Sequence, residues 1–169
     1  KDGALDTLPD GATVILMSTC APSRVEAIAA RIEANGRQFV DAPVSGGVTG
    51  AKGGSLTIMA AAPQATFDAN RPLLEAMGSN LFYIGQKPGQ GSAMKIVNQL
   101  MAGANLAVAA EAIAFAERAG VDTKVAYDLL TGSAAGSWML KARGPRMIDY
   151  DDVVTSAVEI FVKDLGLVL

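Results

Sequence analysis

From Gly91 to Gly120 the chain runs without a proline, and this stretch constrains the fold more than any other. Its apolar positions Ile96, Val97, Leu100, Met101, Ala104, Val108, Ile113 and Phe115 cover nearly every face at helical spacing. A single helix of that length is ~45 Å long. Helices that are apolar all round are buried ones, so it is predicted to be a buried spine between whatever precedes and follows it. The longest low-charge run within it, Ile96 to Ala110, is interrupted by Asn98, Gln99 and Asn105 and flanked by Lys95 and Glu111. That run is too short and too polar to span a bilayer, and no membrane partner is expected. No basic stretch leads into an apolar run at the N-terminus, so no signal peptide is read and a cytoplasmic location is expected.

Before the spine, strand and helix signals alternate. Thr13 to Met17 is a continuous apolar run of the kind buried in a parallel sheet. Ser23 to Ala34 carries Val25, Ile28, Ala29 and Ile32 at helical spacing, with Pro22 and Ser23 as start signals and Asn35-Gly36 as the stop. Gln38 to Asp41 reads as a second strand, Ser45 to Gly54 as a glycine-rich loop, and Ser55 to Ala60 as a third strand. A helix over Pro63 to Met77 and a strand over Leu81 to Ile84 complete this part. After Gly120 only helices are predicted: Thr123 to Thr131, Ser137 to about Ile148, and Ser156 to Leu169. The expected organisation is α/β over residues 1–88, a linking helix over 89–120 and an all-α part over 121–169. The last is expected to be incomplete, because Leu165-Gly166-Leu167-Val168-Leu169 ends on apolar residues without a polar cap.

The 169 residues contain no histidine and one cysteine, Cys20. That excludes an intrachain disulfide, a Cys/His zinc cage and any Ser-His-Asp or Cys-His catalytic group, so no metal site is expected and acid-base work falls to Lys, Asp, Glu or Tyr. Fourteen basic and seventeen acidic residues leave no positive excess to neutralise phosphates, which argues against a nucleic-acid partner.

Three segments have the residue types for chemistry. In Asp41-Ala42-Pro43-Val44-Ser45-Gly46-Gly47 a strand leads into Ser-Gly-Gly, where successive backbone N–H groups and the Ser45 hydroxyl suit a carboxylate or phosphate. A plain glycine turn explains the same residues equally well. In Gly89 to Gln99, Lys95 lies in the first turns of the spine with Asn98 and Gln99 on the same face. Burial there would lower the lysine pKa and make it a proton donor or acceptor, whereas a lysine that snorkels to solvent is the bland alternative. The neighbouring amides favour the first reading, since a buried helix rarely carries three adjoining polar residues without partners. In Phe161 to Leu167, Lys163-Asp164 interrupts an apolar helix, as a solvated stripe also would.

Together, in this order and spacing, the three segments resemble the β-hydroxyacid dehydrogenase family over essentially the whole chain. The similarity is greatest to its L-threonate dehydrogenase branch, through Ala93 to Leu100, Gly136-Ser137-Trp138-Met139 and Ala157 to Leu167. The resemblance implies a Rossmann domain joined by a long helix to a helical domain, and oxidation of a small hydroxyacid with NAD, or NADP, as cofactor. It implies Lys95 as the catalytic lysine that passes the hydroxyl proton. Ser45, Gly46 and Gly47 are implied to bind the substrate carboxylate, with Asn98 and Gln99 beside the substrate. Thr19 is implied near the nicotinamide, and Lys163 and Asp164 at the cofactor side of the site. The family's asparagine four residues after the lysine is Gln99 here, and Ser156 stands where many members carry phenylalanine. Both changes make the implied pocket more polar or roomier, suiting a polyhydroxylated acid such as L-threonate better than 3-hydroxyisobutyrate. Tartronate semialdehyde is a further candidate.

The Gly-x-Gly-x-x-Gly turn that opens dinucleotide sites is absent, so the chain is expected to be a segment of a longer protein that lacks the start of its Rossmann domain. Homo-oligomerisation through the helical part is expected from its apolar helices. The reading from a different functional class is a non-catalytic association module, the role of family members without the lysine. Lys95 argues against it.

Overall fold

The computed structural model describes residues 3–151 and 157–168. The chain forms two compact units. The first takes the chain up to Val97 together with Gly166 onward, and the second takes Asn98–Leu165.

The first unit is α/β. A 3-10 turn at Leu5–Thr7 precedes β1 (Thr13–Leu16), α1 (Pro22–Glu33), β2 (Gln38–Asp41), β3 (Val44–Ser45), α2 (Gly47–Lys52), β4 (Thr57–Ala61), α3 (Gln64–Met77) and β5 (Asn80–Gly85). The strands make one mixed sheet in which β1 and β2 are parallel, β4 and β5 are parallel, and both β2 and β3 run antiparallel to β4. β2 meets β4 through Asp41 opposite Ala61, and β3 meets it through Val44 opposite Ile58 and Ser45 opposite Thr57.

Side chains alternate across a strand, and β2 uses both directions. Phe39 packs with Val25, Ala29 and Ile32 of α1, while Val40 joins Ile58, Ala60, Phe67 and Leu74 of β4 and α3. Burying both faces is why the strands read as continuous apolar runs. Phe67 stacks on Tyr83 with ring centroids 4.6 Å apart, and the Tyr83 hydroxyl donates to the Ala62 carbonyl at 3.0 Å, which ties α3 and β5 to the end of β4.

The glycine-rich stretch differs from its expectation as a loop. Val44–Ser45 pairs with β4, and Gly47–Lys52 winds into helix α2. Gly46 (φ 124°) and Gly47 (φ 59°) make the turn between them in backbone conformations that disfavour any other residue. Gly50 is buried, and a β-carbon there would lie 3.3 Å from the Leu56 side chain, so tertiary packing supports a helix that composition hides.

α4 (Gln90–Arg118) begins in the first unit and continues through the second. The expectation that it is buried on all sides is not met. Ile96, Ala109, Ile113 and Ala116 are buried, but Met94, Val97, Met101, Val108 and Phe115 are exposed. The whole of α4 is long and apolar enough to cross a membrane, a property that the shorter run Ile96 to Ala110 lacks. Its buried polar residues Ser92, Lys95 and Gln99 are instead those of a helix packed against protein groups.

In the second unit α5 (Thr123–Thr131) and α6 (Trp138–Ile148) pack with α4 around Ala109, Ile113 and Leu140. Both begin on local caps: Asp122 accepts the N–H groups of Lys124 and Val125, each at 2.9 Å, and Ser137 Oγ accepts that of Leu140 at 3.1 Å. α7 is Glu159–Leu165, shorter than expected, and Ser156 lies outside the described residues.

Candidate functional site

Among the described residues the buried charged side chains are Asp41, Lys95 and Asp164. One falls in each of the three segments singled out from the sequence. A buried charge is costly unless other groups compensate it, so these positions are where the fold has polar requirements to meet.

In the first unit the Ser45-Gly46-Gly47 turn sits at the end of the short strand β3. Ser45 is half-buried, and Gly46 and Gly47 are exposed. The Gly46 carbonyl accepts the N–H of Gly50 at 3.0 Å, which starts α2 and fixes the turn from behind. A β-carbon on Gly47 would meet nothing within 4 Å, so that glycine faces open space. Thr19 is half-buried in the connection from β1 to α1. This is the carboxyl end of a parallel strand, where open α/β sheets bind their ligands.

Lys95 lies near the start of α4 and is only 6% exposed. That burial favours the first reading over a lysine that extends into solvent. Just before it, the Asp41 carboxylate meets the beginning of the same helix: Oδ2 accepts the N–H groups of Gly89 (3.0 Å) and Ser92 (2.9 Å), and Oδ1 accepts the Ser92 hydroxyl at 2.8 Å. Burial pushes the Asp41 carboxyl above its usual value of 3.8, opposed by the hydrogen bonds from Ser92, Gly89 and Gly91. Asp41 and Ser92 received no role from the sequence. The available signal was a charged residue closing an apolar strand.

In the second unit Gln99 Nε2 donates to Asp164 Oδ2 at 2.6 Å, and Lys163 Nζ lies 2.8 Å from Asp164 Oδ1 as an ion pair. Asp164 is buried while the Lys163 side chain is 58% exposed. Gln99 and Asp164, 65 residues apart, are thus brought together, and Asn98 beside them is half-buried. Close approach of α7 to α4 depends on Gly103, where a β-carbon would lie 3.0 Å from the Phe161 ring. A hollow of about 150 Å³ in this unit, lined by Ile113, Glu117, Thr123, Met147 and Tyr150 among others, contains none of the candidate residues. No cluster of metal-binding side chains occurs among the described residues.

Comparison with known proteins gives these positions a family. Residues 1–85 match the family model described as the NAD binding domain of 6-phosphogluconate dehydrogenase. Residues 89–169 match the NAD-binding domain of NADP-dependent 3-hydroxyisobutyrate dehydrogenase. The chain is 43% identical over 168 residues to an L-threonate dehydrogenase of Escherichia coli O6:H1, covering 99% of this chain and 56% of that protein. It is 41% identical to an L-threonate dehydrogenase of Cupriavidus necator, covering 99% and 57%. A crystal structure of 3-hydroxyisobutyrate dehydrogenase from Salmonella typhimurium superposes with a TM-score of 0.92 at 44% identity, covering 99% of this chain and 59% of that one. The chain therefore spans little more than half the length of these relatives. The architecture they share with it is a Rossmann-type NAD-binding part followed by a long helix and a helical domain. With half of its residues matched by one dehydrogenase model and nearly all the rest by a second, the chain belongs to the β-hydroxyacid dehydrogenase family.

Proposed function

We propose that the whole protein oxidises a small hydroxyacid with NAD or NADP as cofactor, and that L-threonate, oxidised at C2 to 2-oxo-tetronate, is its substrate. The observation that carries this reading is Lys95: a lysine buried near the start of a helix, at the position the family resemblance gives the catalytic lysine, is a group suited to proton transfer. The Ser45 hydroxyl and the Gly46 and Gly47 backbone bind the substrate carboxylate, and the family resemblance assigns Asn98 and Gln99 to substrate binding. Lys95 takes the C2 hydroxyl proton as the C=O bond forms, and returns it in the reverse reduction.

The chain's own residues fit one end of the cofactor. Thr19 follows a parallel strand at the edge where such sheets bind ligands, whereas no Gly-x-Gly-x-x-Gly turn is present to hold the pyrophosphate. Thr19 would hold the nicotinamide side, and the family resemblance assigns Lys163 and Asp164 of α7 to the cofactor as well. When bound, the dinucleotide supplies the two-electron hydride acceptor.

L-threonate is favoured over 3-hydroxyisobutyrate and tartronate semialdehyde by the relatives that bear its name and by the longer amide of Gln99. In the second unit Val108, Phe115, Val125, Leu129 and Trp138 are exposed, which supports homo-oligomerisation through the helical part. A cytoplasmic location follows from the same reading.

The test is the whole protein assayed on L-threonate, 3-hydroxyisobutyrate and the tartronate semialdehyde pair, with Lys95→Ala alongside. The expected result is highest kcat/KM on L-threonate and a kcat lowered by about 10²–10⁴ in the variant, with NAD affinity retained. Turnover of all three acids at background rate by the wild type, with robust oligomerisation, would favour the non-catalytic association module instead.

A further inference from the structure

We propose that Asp41 is a positioning residue that fixes Lys95 relative to the Ser45-Gly46-Gly47 turn. The inference rests on Lys95 being the proton-transfer group. It starts from a contrast in how the helices are capped. α5 and α6 begin on Asp122 and Ser137, residues adjacent to their own first turns. Such local caps satisfy the free N–H groups of a helix but tie it to nothing else. α4 is capped by Asp41, 48 residues before Gly89 and 51 before Ser92, from the end of a sheet strand. A remote cap of this kind satisfies the same donors and also sets where the helix sits along its axis.

Three further features make the seat rigid. Asp41 is fully buried, and both of its oxygens are engaged, Oδ2 by two backbone N–H groups and Oδ1 by the Ser92 hydroxyl. The partial positive charge of the helix start strengthens each of these bonds. Gly91 lies between the anchored residues, and a β-carbon there would be 2.5 Å from the Met59 carbonyl and 2.7 Å from that of Asp41. The first turn of α4 therefore rests directly on β2 and β4. Finally, the backbone of Asp41 leads within four residues to Ser45. That connection is held down on both sides, the Ala42 N–H donating to the Leu16 carbonyl at 2.8 Å and the Met59 N–H to the Pro43 carbonyl at 3.0 Å. One residue thus fixes the carboxylate-binding turn through its main chain and the lysine-bearing helix through its side chain. Lys95 follows Ser92 by three residues, less than one helical turn, so little play separates the anchor from the amine.

A misplacement of about 1 Å between reacting groups costs up to about 10²-fold in rate. The experiment measures kcat, KM for the hydroxyacid and Kd for NAD in the whole protein carrying Asp41→Asn, Ser92→Ala, Lys95→Ala, and Asp41→Asn combined with Lys95→Ala. With rates normalised to folded protein, kcat is expected to fall at least about tenfold in Asp41→Asn and severalfold in Ser92→Ala. KM and Kd should stay within about threefold, and Asp41→Asn should add no loss where Lys95 is already absent. Ser92→Ala removes one hydroxyl and keeps the backbone bond, so it carries the test if Asp41→Asn does not fold. Wild-type kcat in the folded variants, or an added loss in the double variant, overturns the positioning role while the lysine reading stands. Normal turnover by Lys95→Ala overturns both.

Discussion

The start of α4 and its later half are built on opposite terms. At the start the helix is fixed by polar groups: a buried carboxylate, a buried serine and a glycine with no room for a side chain. Beyond Gly103 it is held by apolar contacts of Ala109 and Ile113 with Leu140, and its other face presents Val108 and Phe115 to solvent. Hydrogen bonds are directional and position groups to fractions of an ångström, whereas apolar burial is nondirectional and tolerates adjustment. The proposed chemistry needs the first kind of holding, and the proposed self-association uses a face of the second kind.

Substitutions in the core and at the two ends of α4 test that contrast. The largest expected effect on stability is in the core of the first unit: Phe67→Ala, at the junction of α3 with the sheet, should lower the unfolding free energy by about 3–5 kcal/mol, read from urea unfolding. Gly91→Ala should cost about 2–3 kcal/mol in the same measurement, since its methyl group would overlap two carbonyl oxygens. A loss below 0.5 kcal/mol would mean that the seat at the start of α4 yields. Smaller still is a pH effect. The Asp41 carboxyl is raised by burial above 3.8, so the folded state holds that proton more tightly than the unfolded chain. Its contribution to stability is fully present below 3.8 and is lost as pH rises through the folded value. Unfolding measured over a pH series should show this slope in the wild type and not in Asp41→Asn. At the other end, Phe115, which is 67% exposed, should change stability by less than about 0.5 kcal/mol when replaced by serine, yet weaken self-association in sedimentation equilibrium.

The same contrast governs what the sequence made legible. β2 and α5 match their expected bounds because alternation, helical spacing and capping are local signals. Lys95 stood out because Asn98 and Gln99 adjoin it in an apolar run. The role of Asp41 is not visible in the sequence, since its partners Gly89 and Ser92 lie 48 and 51 residues away along the chain and nothing local announces them. α2 was hidden by its glycines, whose helix depends on packing under Leu56. The exposed face of α4 is hidden for a different reason: apolar residues lie on all sides of the helix, but burial does not. The seven-residue recurrence of Met94, Met101, Val108 and Phe115 marks one continuous stripe along the helix.

The most direct test of the account is chemical rescue of Lys95→Ala in the whole protein by a small primary amine during hydroxyacid oxidation. Turnover is expected to fall by at least about 10²-fold and to be restored in proportion to amine concentration, with NAD affinity unchanged. Turnover of Lys95→Ala at the wild-type rate without added amine would contradict it.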